Sequence, residues 1–508
     1  MIRWDRASNH VKTCRKDNVA RISTVGKEER QMISSDQSAP FSELMAIRGL
    51  ALPPAGEVTI TGADPFFRTP FRIGETVATV LAATGVAAND LWELRTGRRQ
   101  TIAVEVRQGA ASLHIIEYTQ KRGADGQYHT FPMSPERQHI FAITQPWQTA
   151  DGGWFLPHFN LDHLEHRVLG VLGCQGTPGA VKAAVARWNG DELETAIAEA
   201  HGCGGKIRSL AQWLAHPQGA YLATRPVVEI TRIGDSRPEP LPTGDRPLSG
   251  IRTLDLTRIV AGPTAARTLA EHGADVLMVT APDIPQMPEF IRDLNHGKRS
   301  CFLDLRDAEE AHRLAALVRG ADIFVNGYRP GRLAARGFGL DELARLRPGI
   351  INVSISCFGS GGPFADRAGW EQVAQCVAGI ALTHGEMTGA GQPKLAPAPV
   401  CDYLTGYLAA YGAMLALGRR AREGGSYDVQ VSLCQSAVFY QRQGLVDGFN
   451  EATEQLSAAE LAELYVREEN AYGDILTLRP VSLMSETPCR WALPAPKLGA
   501  DRPQWVAR

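Results

Sequence analysis

Short apolar runs alternate with segments of helical periodicity in the second half of the chain, after a proline-rich stretch at residues 237–242. The apolar runs begin, at intervals of 22 to 28 residues, near Ile251, Asp275, Ser300, Asp322 and Ile350. Helical periodicity covers residues 263–272, 307–318 and 340–346 between them. Strands that alternate with helices in this way predict right-handed βαβ units and a parallel, doubly wound α/β sheet of the Rossmann-like kind.

The ends of these predicted strands are where a binding site is expected. Ligands of doubly wound sheets bind at the carboxyl ends of the strands. The second helix is predicted to start with Asp304 or Asp307 as its N-cap residue, because a carboxylate there accepts a hydrogen bond from the first turn. The loops expected to form the site are residues 257–263, 280–298, 326–331 and 356–367.

The first half of the chain is predicted to hold a partial copy of the second. A shift of 327 residues aligns residues 70–113 with 397–440 without a gap, and ten of the 44 positions are identical. Average composition gives roughly three or four. In this register Glu75 corresponds to Asp402, but no βα run precedes the first copy. Conversely, 112 residues separate the first copy from an Arg-Pro-Val sequence, whereas 39 do so in the second.

These patterns predict five parts with different structural roles. The large domain is expected to be a Rossmann-like sheet and the smaller domain an α+β unit. The parts are an unfolded extension (1–40), a partial repeat with one helix and one strand (41–120), a small-domain-like segment with a linker (121–245), a Rossmann-like catalytic domain (246–445) and a C-terminal tail (446–508). We expect segment 121–245 to fold over the mouth of the large sheet and to complete one active site per chain, with Glu75 as a relic.

Composition narrows the functional class. The 508 residues are 44% hydrophobic and 21% charged with a net charge of −2, so no general attraction to nucleic acid or anionic membranes is expected. No apolar run reaches the roughly 18 residues of a membrane span. Nine scattered cysteines without a Cys-x-x-Cys pair indicate reduced thiols and a cytoplasmic protein. Residues 1–40 contain no apolar signal region and are interpreted as an extension upstream of the true start codon.

Asp402 is the strongest candidate for chemistry. It follows a proline-rich approach and begins an apolar helix of small residues that runs to about Leu417. The helix dipole and the unpaired N–H groups of the first turn favour a carboxylate at this place. A purely structural N-cap role explains the same pattern. Near pH 7 an ordinary carboxylate is ionised and needs no general base to act as a nucleophile.

An ordered series of short motifs surrounds this aspartate and resembles the class III CoA-transferase family, which includes formyl-CoA transferase, carnitine CoA-transferase and α-methylacyl-CoA racemase. Each motif is weak alone, but their order and spacing from 249 to 440 are specific. The motifs are LDLT at 254–257, AGP at 261–263, GADV at 273–276, KRS at 298–300, LDL at 303–305, YRPG at 328–331, GFG at 337–339, and Asp402 with Thr405 and Gly406.

The resemblance implies an enzyme that moves CoA between an acyl-CoA and a carboxylic acid acceptor. By family position, Asp402 is the nucleophile that forms an acyl-aspartyl anhydride and then an aspartyl-CoA thioester. CoA is expected as a substrate, with no permanently bound cofactor and no metal; whether the protein forms a homodimer is left open. The residues expected to bind CoA are Arg258, Ile259, Ala261, Lys298, Arg299, Leu303, Gly327, Tyr328, Arg329 and Trp370.

Three positions depart from the family pattern. Thr280 and Ala281 replace an acidic-basic pair, which removes one expected contact to the CoA 3′-phosphate. Val260 replaces a glutamine of formyl-CoA transferase and argues against formate and oxalate as substrates. Two alternatives remain: a 2-methylacyl-CoA racemase, disfavoured because Trp370 stands where the racemases have a histidine and cannot exchange a proton, and a catalytically inactive CoA-binding subunit.

Overall fold

A computed structural model describes residues 32–33 and 39–506 of the protein. Most of the predicted extension at 1–40 lies outside the described residues. The strands are β1 (Met32–Ile33), β2 (Val58–Thr61), β3 (Ile102–Glu105), β4 (Gln120–Arg122), β5 (Tyr128–Thr130), β6 (Trp147–Gln148), β7 (Trp154–Pro157), β8 (Gly204–Lys206), β9 (Glu229–Gly234), β10 (Arg252–Leu256), β11 (Asp275–Thr280), β12 (Lys298–Phe302), β13 (Ile323–Asn326), β14 (Ile351–Ser356), β15 (Ser426–Ser432), β16 (Tyr465–Asn470), β17 (Gly473–Leu478) and β18 (Leu483–Met484).

The helices connect these strands and cover both faces of the main sheet. They are α1 (Ala39–Arg48), α2 (Ile73–Thr96), α3 (Val106–Ala111), α4 (Ile115–Tyr118), α5 (Pro135–Ile143), α6 (Asp162–Leu172), α7 (Pro178–Val185), α8 (Gly190–Glu199), α9 (Leu210–Ala215), α10 (Pro217–Ala223), α11 (Ala261–Glu271), α12 (Pro288–Leu294), α13 (Ala308–Arg319), α14 (Leu340–Leu346), α15 (Glu371–Val377), α16 (Ile380–Met387), α17 (Val400–Glu423), α18 (Leu433–Gln441) and α19 (Ala458–Ala462).

The main sheet confirms the predicted parallel α/β fold. Its seven strands lie in the order β12-β11-β10-β13-β14-β15-β9, and only the edge strand β9 is antiparallel to its neighbour. The chain runs outward from β10 through β11 to β12, and then in the opposite direction from β13 to β15. The point between β10 and β13 is therefore the switch point at which doubly wound sheets bind their ligands.

Alternation along the strands divides the core into two layers. Phe324 in β13 packs with Leu254 and Leu317 on the face covered by α13 and α14. Its neighbours Ile323 and Val325 belong to the larger cluster on the opposite face, which includes α11 and α17. Because both faces are covered, the central strands are apolar at almost every position, which explains why they read as continuous apolar runs.

Helices α2 and α17 pack against each other in the centre of the protein. Each has 24 residues, and their first residues differ by 327, the shift found in the sequence. The glycines that follow them, Gly97 and Gly424, both have positive φ, at 73° and 70°. Among the described residues, α17 is the one helix long and apolar enough to cross a membrane, and its apolar window is wholly buried inside the protein.

Segments outside the large sheet are interleaved with it. Strand β9, from segment 121–245, completes the large sheet, and β6, β7 and β8 form a sheet of their own. In the C-terminal part, β16 and β17 form a hairpin that pairs with β4, and β18 pairs with β3. The C-terminal part thus adds strands to two sheets built from the first half of the chain.

Candidate active site

A cavity of about 810 Å³ opens at the carboxyl ends of the parallel strands, on both sides of the switch point between β10 and β13. Of the sequence-predicted site residues, the cavity is lined by Arg258, Ile259, Ala261, Leu303, Gly327, Tyr328, Arg329, Trp370 and Asp402. Ile259 has a φ of 78°, which a β-branched side chain rarely adopts. Such backbone strain is concentrated at functional sites.

Two predicted CoA-binding residues lie elsewhere. Lys298 and Arg299 begin β12 at the amino-terminal edge of the sheet, whereas the cavity lies at its carboxyl-terminal edge. The buried Lys298 ammonium donates to Asp255 at 2.8 Å and to the carbonyl of Pro263 at 3.0 Å. Arg299 pairs with Asp275 at 2.7 Å. Their placement on the CoA path is therefore corrected: both charges serve ion pairs within the fold.

Glu371, not Asp402, caps the start of α17. Its carboxylate accepts hydrogen bonds from the backbone N–H groups of Asp402 at 2.6 Å and of Cys401 at 3.1 Å. Gln375 donates to the same carboxylate at 2.7 Å and fixes its orientation. The structural interpretation of Asp402 as an N-cap residue is therefore wrong, and its carboxylate lines the cavity instead.

Burial dominates the electrostatics of this carboxylate pair. It raises the pKa of Asp402 well above its ordinary value, and repulsion from Glu371 raises that pKa further, whereas a hydrogen bond from the N–H of Ala261 lowers it. Burial also raises the pKa of Glu371 to about 6. The expectation that Asp402 behaves as an ordinary ionised carboxylate near pH 7 is therefore corrected, because its surroundings favour the protonated form.

Two glycines allow the backbone to approach this site closely. A Cβ on Gly262, in the first turn of α11, would lie 2.3 Å from Cβ of Thr257. A Cβ on Gly369 would lie 2.3 Å from Sγ of Cys357. Any side chain at either position would force the loops after β10 and β14 apart, and with them two walls of the cavity.

Positive charge collects at the switch-point side of the cavity. Arg258, Arg329 and Arg332 all line it, and Arg258 donates to the carbonyl of Pro285 at 3.0 Å. Arg329 and Arg332 make no side-chain hydrogen bond or ion pair with the described residues. Burial lowers the pKa of Arg329, and the neighbouring Arg332 lowers it further. Guanidinium groups held together without carboxylates are suited to binding phosphate.

Segment 121–245 forms the opposite wall of the cavity. Leu161, His163 and Leu164, at the start of α6, line the same cavity as the strand-end loops. His158 is buried, and its ring lies 4.8 Å from the ring of Trp370. This placement agrees with the expectation that the segment covers the mouth of the sheet.

Comparison with known proteins identifies the part of the chain that contains this site. Residues 248–465 match the family model for CoA-transferase family III. These residues belong to CoA-transferase family III. The acetyl-coenzyme A transferase nodX of Hypoxylon pulicicidum is 34% identical over 313 residues, which are 57% of this chain and 53% of that protein. The formyl-CoA:oxalate CoA-transferase of Afipia carboxidovorans is 35% identical over 203 residues, which are 38% of this chain and 47% of that protein.

A crystal structure of Rv3272 from Mycobacterium tuberculosis is also similar, with a TM-score of 0.36 and 31% identity over 39% of this chain and 58% of that one. The chain spans about half the length of the curated relatives it matches. Within it, the family III region supplies Asp402, Glu371 and the strand-end arginines, whereas α6 lies outside that region.

Several cavity residues escaped the sequence analysis of this CoA-transferase. Arg306, Arg336 and Arg367 line the cavity, and Glu371 contacts the backbone of Asp402. Arg367 falls within a loop that the strand pattern marks as part of the site. Glu371 precedes Asp402 by 31 residues, so no local spacing connects the two.

Elsewhere in the described residues, Glu271, His272 and Cys489 bring possible metal-ligating atoms within 4.8 Å of one another. Burial raises the pKa of Glu271 to about 7, and the guanidinium groups of Arg267 and Arg246 oppose that rise. Two cations already neutralise this carboxylate, which weakens the case for a metal ion there.

Proposed function

We propose that the protein is an acyl-CoA:carboxylic acid CoA-transferase in which Asp402 is the nucleophile. The observation that supports this most directly is a buried, cavity-facing carboxylate in the same cavity as guanidinium groups without partners. CoA carries phosphates at one end and a thioester at the other, so a cavity with cations at one place and a nucleophile at another matches its chemistry.

The reaction proceeds through exchange at the Asp402 carboxyl group. An ionised Asp402 oxygen attacks the thioester carbonyl, the C–S bond breaks, and CoA leaves as the thiolate while an acyl-aspartyl anhydride forms. The thiolate then attacks the aspartyl carbonyl, which releases the donor acid and leaves an aspartyl-CoA thioester. The acceptor carboxylate repeats the two steps in reverse order, and CoA leaves on the acceptor. No net proton is consumed.

Glu371 positions the nucleophile and tunes it. Its hydrogen bonds fix the first turn of α17, so that the Asp402 carboxylate keeps its place in the cavity. Its negative charge raises the pKa of Asp402. A carboxylate of raised pKa is more nucleophilic once it is ionised. We assign the CoA phosphates to Arg258, Arg329 and Arg332, whose positive charge also favours the ionised state of bound anions.

Mass spectrometry of the intact protein tests this function. Incubation with a mixture of acyl-CoAs, followed by hydroxylamine or borohydride trapping and peptide mapping, is expected to label Asp402. The matched control is Glu75→Gln, which changes the corresponding carboxylate of the first copy. Labelling of another residue would overturn the mechanism. Binding of CoA without an adduct or transfer across a broad panel of acids would favour an inactive CoA-binding subunit.

One active site per chain is part of the proposal. In the first copy, Asp64 accepts from the N–H groups of Gly74 and Glu75, as Glu371 does at α17. Glu75 is paired with Arg72 at 2.8 Å, so its carboxylate is already neutralised. Titration with a tight CoA analogue should give one site per chain, and Glu75→Gln should leave turnover nearly unchanged. Two equivalent sites would contradict this reasoning.

We also place the enzyme in the cytoplasm. The described cysteines are all unpaired, which agrees with a reducing compartment. Growth-independent fractionation of cells that express the full chain, with antibody detection, tests the location.

A further inference from the structure

Arg367 is a cavity-lining arginine whose charge the fold does not use. It lies in the loop between β14 and α15, with its guanidinium 3.6 Å from the centre of the Phe364 ring. Its nearest carboxylate contact is Glu194, at 3.7 Å, which is too long for a hydrogen bond. Its guanidinium donates no hydrogen bond to any residue in 39–506.

The carboxylates near Arg367 already have closer partners. Glu194 receives two hydrogen bonds from Arg208, at 2.7 and 2.8 Å, which is the bidentate geometry of a complete ion pair. Asp191, the next carboxylate in this group, is paired with Lys206 at 2.7 Å. Arg208 and Lys206 therefore satisfy both acidic groups, and Arg367 remains a surplus positive charge at the cavity wall.

The wall between Arg367 and the nucleophile is apolar. Ala368, Gly369 and Trp370 follow Arg367 in the chain and line the same cavity, before Glu371 reaches the backbone of Asp402. Ile355 and Leu433 line it as well. The phosphate-binding candidates Arg258, Arg329 and Arg332 lie instead on the loops after β10 and β13. Arg367 is thus a separate cation, on the loop that leads to the nucleophile.

We propose that Arg367 binds a second carboxylate of the acid substrate, so that the enzyme prefers aliphatic dicarboxylic acids. One carboxylate exchanges at Asp402, the methylene chain lies along the apolar wall at Trp370, and the other carboxylate pairs with the Arg367 guanidinium. The inference rests on the proposed function, because it assumes that the acid reacts at Asp402. Arg367 is a specificity-determining residue in this arrangement, not a catalytic one.

Matched pairs of acceptor acids test the proposal. Butyrate and succinate, pentanoate and glutarate, and hexanoate and adipate have equal carbon numbers and differ in one terminal carboxylate. With the acyl-CoA that labels Asp402 as donor, the wild-type ratio of kcat/KM should favour the dicarboxylic member of at least one pair. Arg367→Gln should lower that ratio about tenfold to a hundredfold, the loss expected for a charge-assisted hydrogen bond.

Two further variants separate recognition from folding. Arg367→Lys keeps the charge but loses the bidentate fork, so it should retain part of the preference. Arg232→Gln removes an exposed arginine that pairs with Asp235 and should leave the ratio unchanged. Thermal unfolding and calorimetric CoA affinity, measured for each variant, should match the wild type.

Three results would overturn the proposal. One is a wild type that uses both members of every pair equally well. Another is an Arg367→Gln variant that loses activity equally on both members and also binds CoA more weakly, which would place Arg367 in the CoA site. The third is a wild type that forms no adduct and transfers to no acid, which would overturn the proposed function together with this inference. An adduct at Asp402 without any dicarboxylate preference would leave the function intact and refute the inference alone.

Discussion

Replacing the nucleophile should make the protein more stable while it abolishes the reaction. Asp402→Asn removes a carboxyl group that burial and Glu371 hold in its protonated form. The amide has nearly the same size, and its oxygen still accepts the hydrogen bond from the N–H of Ala261. Asparagine is a poor nucleophile, so transfer should fall below a tenth of the wild-type rate, whereas CoA binding should stay near wild type.

The size of the stabilisation follows from proton linkage. In the unfolded chain Asp402 ionises near pH 3.8, whereas in the folded protein its pKa is far higher. The stability that this group contributes is fully present below pH 3.8 and is lost as pH rises through the folded pKa. While the folded side chain stays protonated, the wild type loses about 1.4 kcal/mol per pH unit relative to the variant. From pH 5 to pH 7 the advantage of Asp402→Asn should grow by about 3 kcal/mol.

Urea unfolding at pH 5, 6 and 7, together with a transfer assay on the same samples, measures both effects. A stability difference that does not change with pH would refute the burial argument. A variant less stable than the wild type at pH 7 would refute it as well. Transfer at a tenth of the wild-type rate or more would remove Asp402 from the role of nucleophile, whatever the stability result.

Other substitutions test the neighbouring interactions. Glu371→Gln removes the charge that raises the pKa of Asp402, so the acid limb of the pH–rate profile should move to lower pH; an unmoved limb would contradict the pairing. Lys298→Met leaves the buried Asp255 without its partner and should cost about 3–5 kcal/mol in urea unfolding; a loss below about 1 kcal/mol would contradict the importance of that pair. Arg329→Gln should weaken CoA binding about tenfold and reduce its salt dependence in calorimetry; unchanged affinity would exclude Arg329 from the phosphate site.

Local sequence patterns predicted the sheet and its helices because these elements follow from interactions between near neighbours. The strands predicted near Ile251 and Asp322 begin at Arg252 and Ile323, each one residue later. Asp307, one of two N-cap candidates, accepts a hydrogen bond from the N–H of Glu310 and begins α13. Continuous apolar runs and capping residues contain this information without any tertiary contact.

The family-like motifs extended the prediction to most of the cavity lining, since strand order places the carboxyl ends of parallel strands together. They failed at Lys298 and Arg299, which the same motif pattern assigned to CoA. A short basic motif does not reveal which edge of a strand it occupies or whether a buried aspartate is within reach. Asp255 lies 43 residues away from Lys298, and only the pairing of β10, β11 and β12 brings them together.

The amino-acid sequence by itself determined the α/β fold, the position of the candidate nucleophile and most of the strand-end residues, because each depends on apolar periodicity, helix starts or strand order. The tertiary structure alone decided the ionisation of Asp402 and the roles of the charged groups around it. Desolvation and Coulomb interactions depend on distance in space, and the partners that set them here, such as Glu371 for Asp402 and Arg208 beside Arg367, are separated by tens to hundreds of residues along the chain.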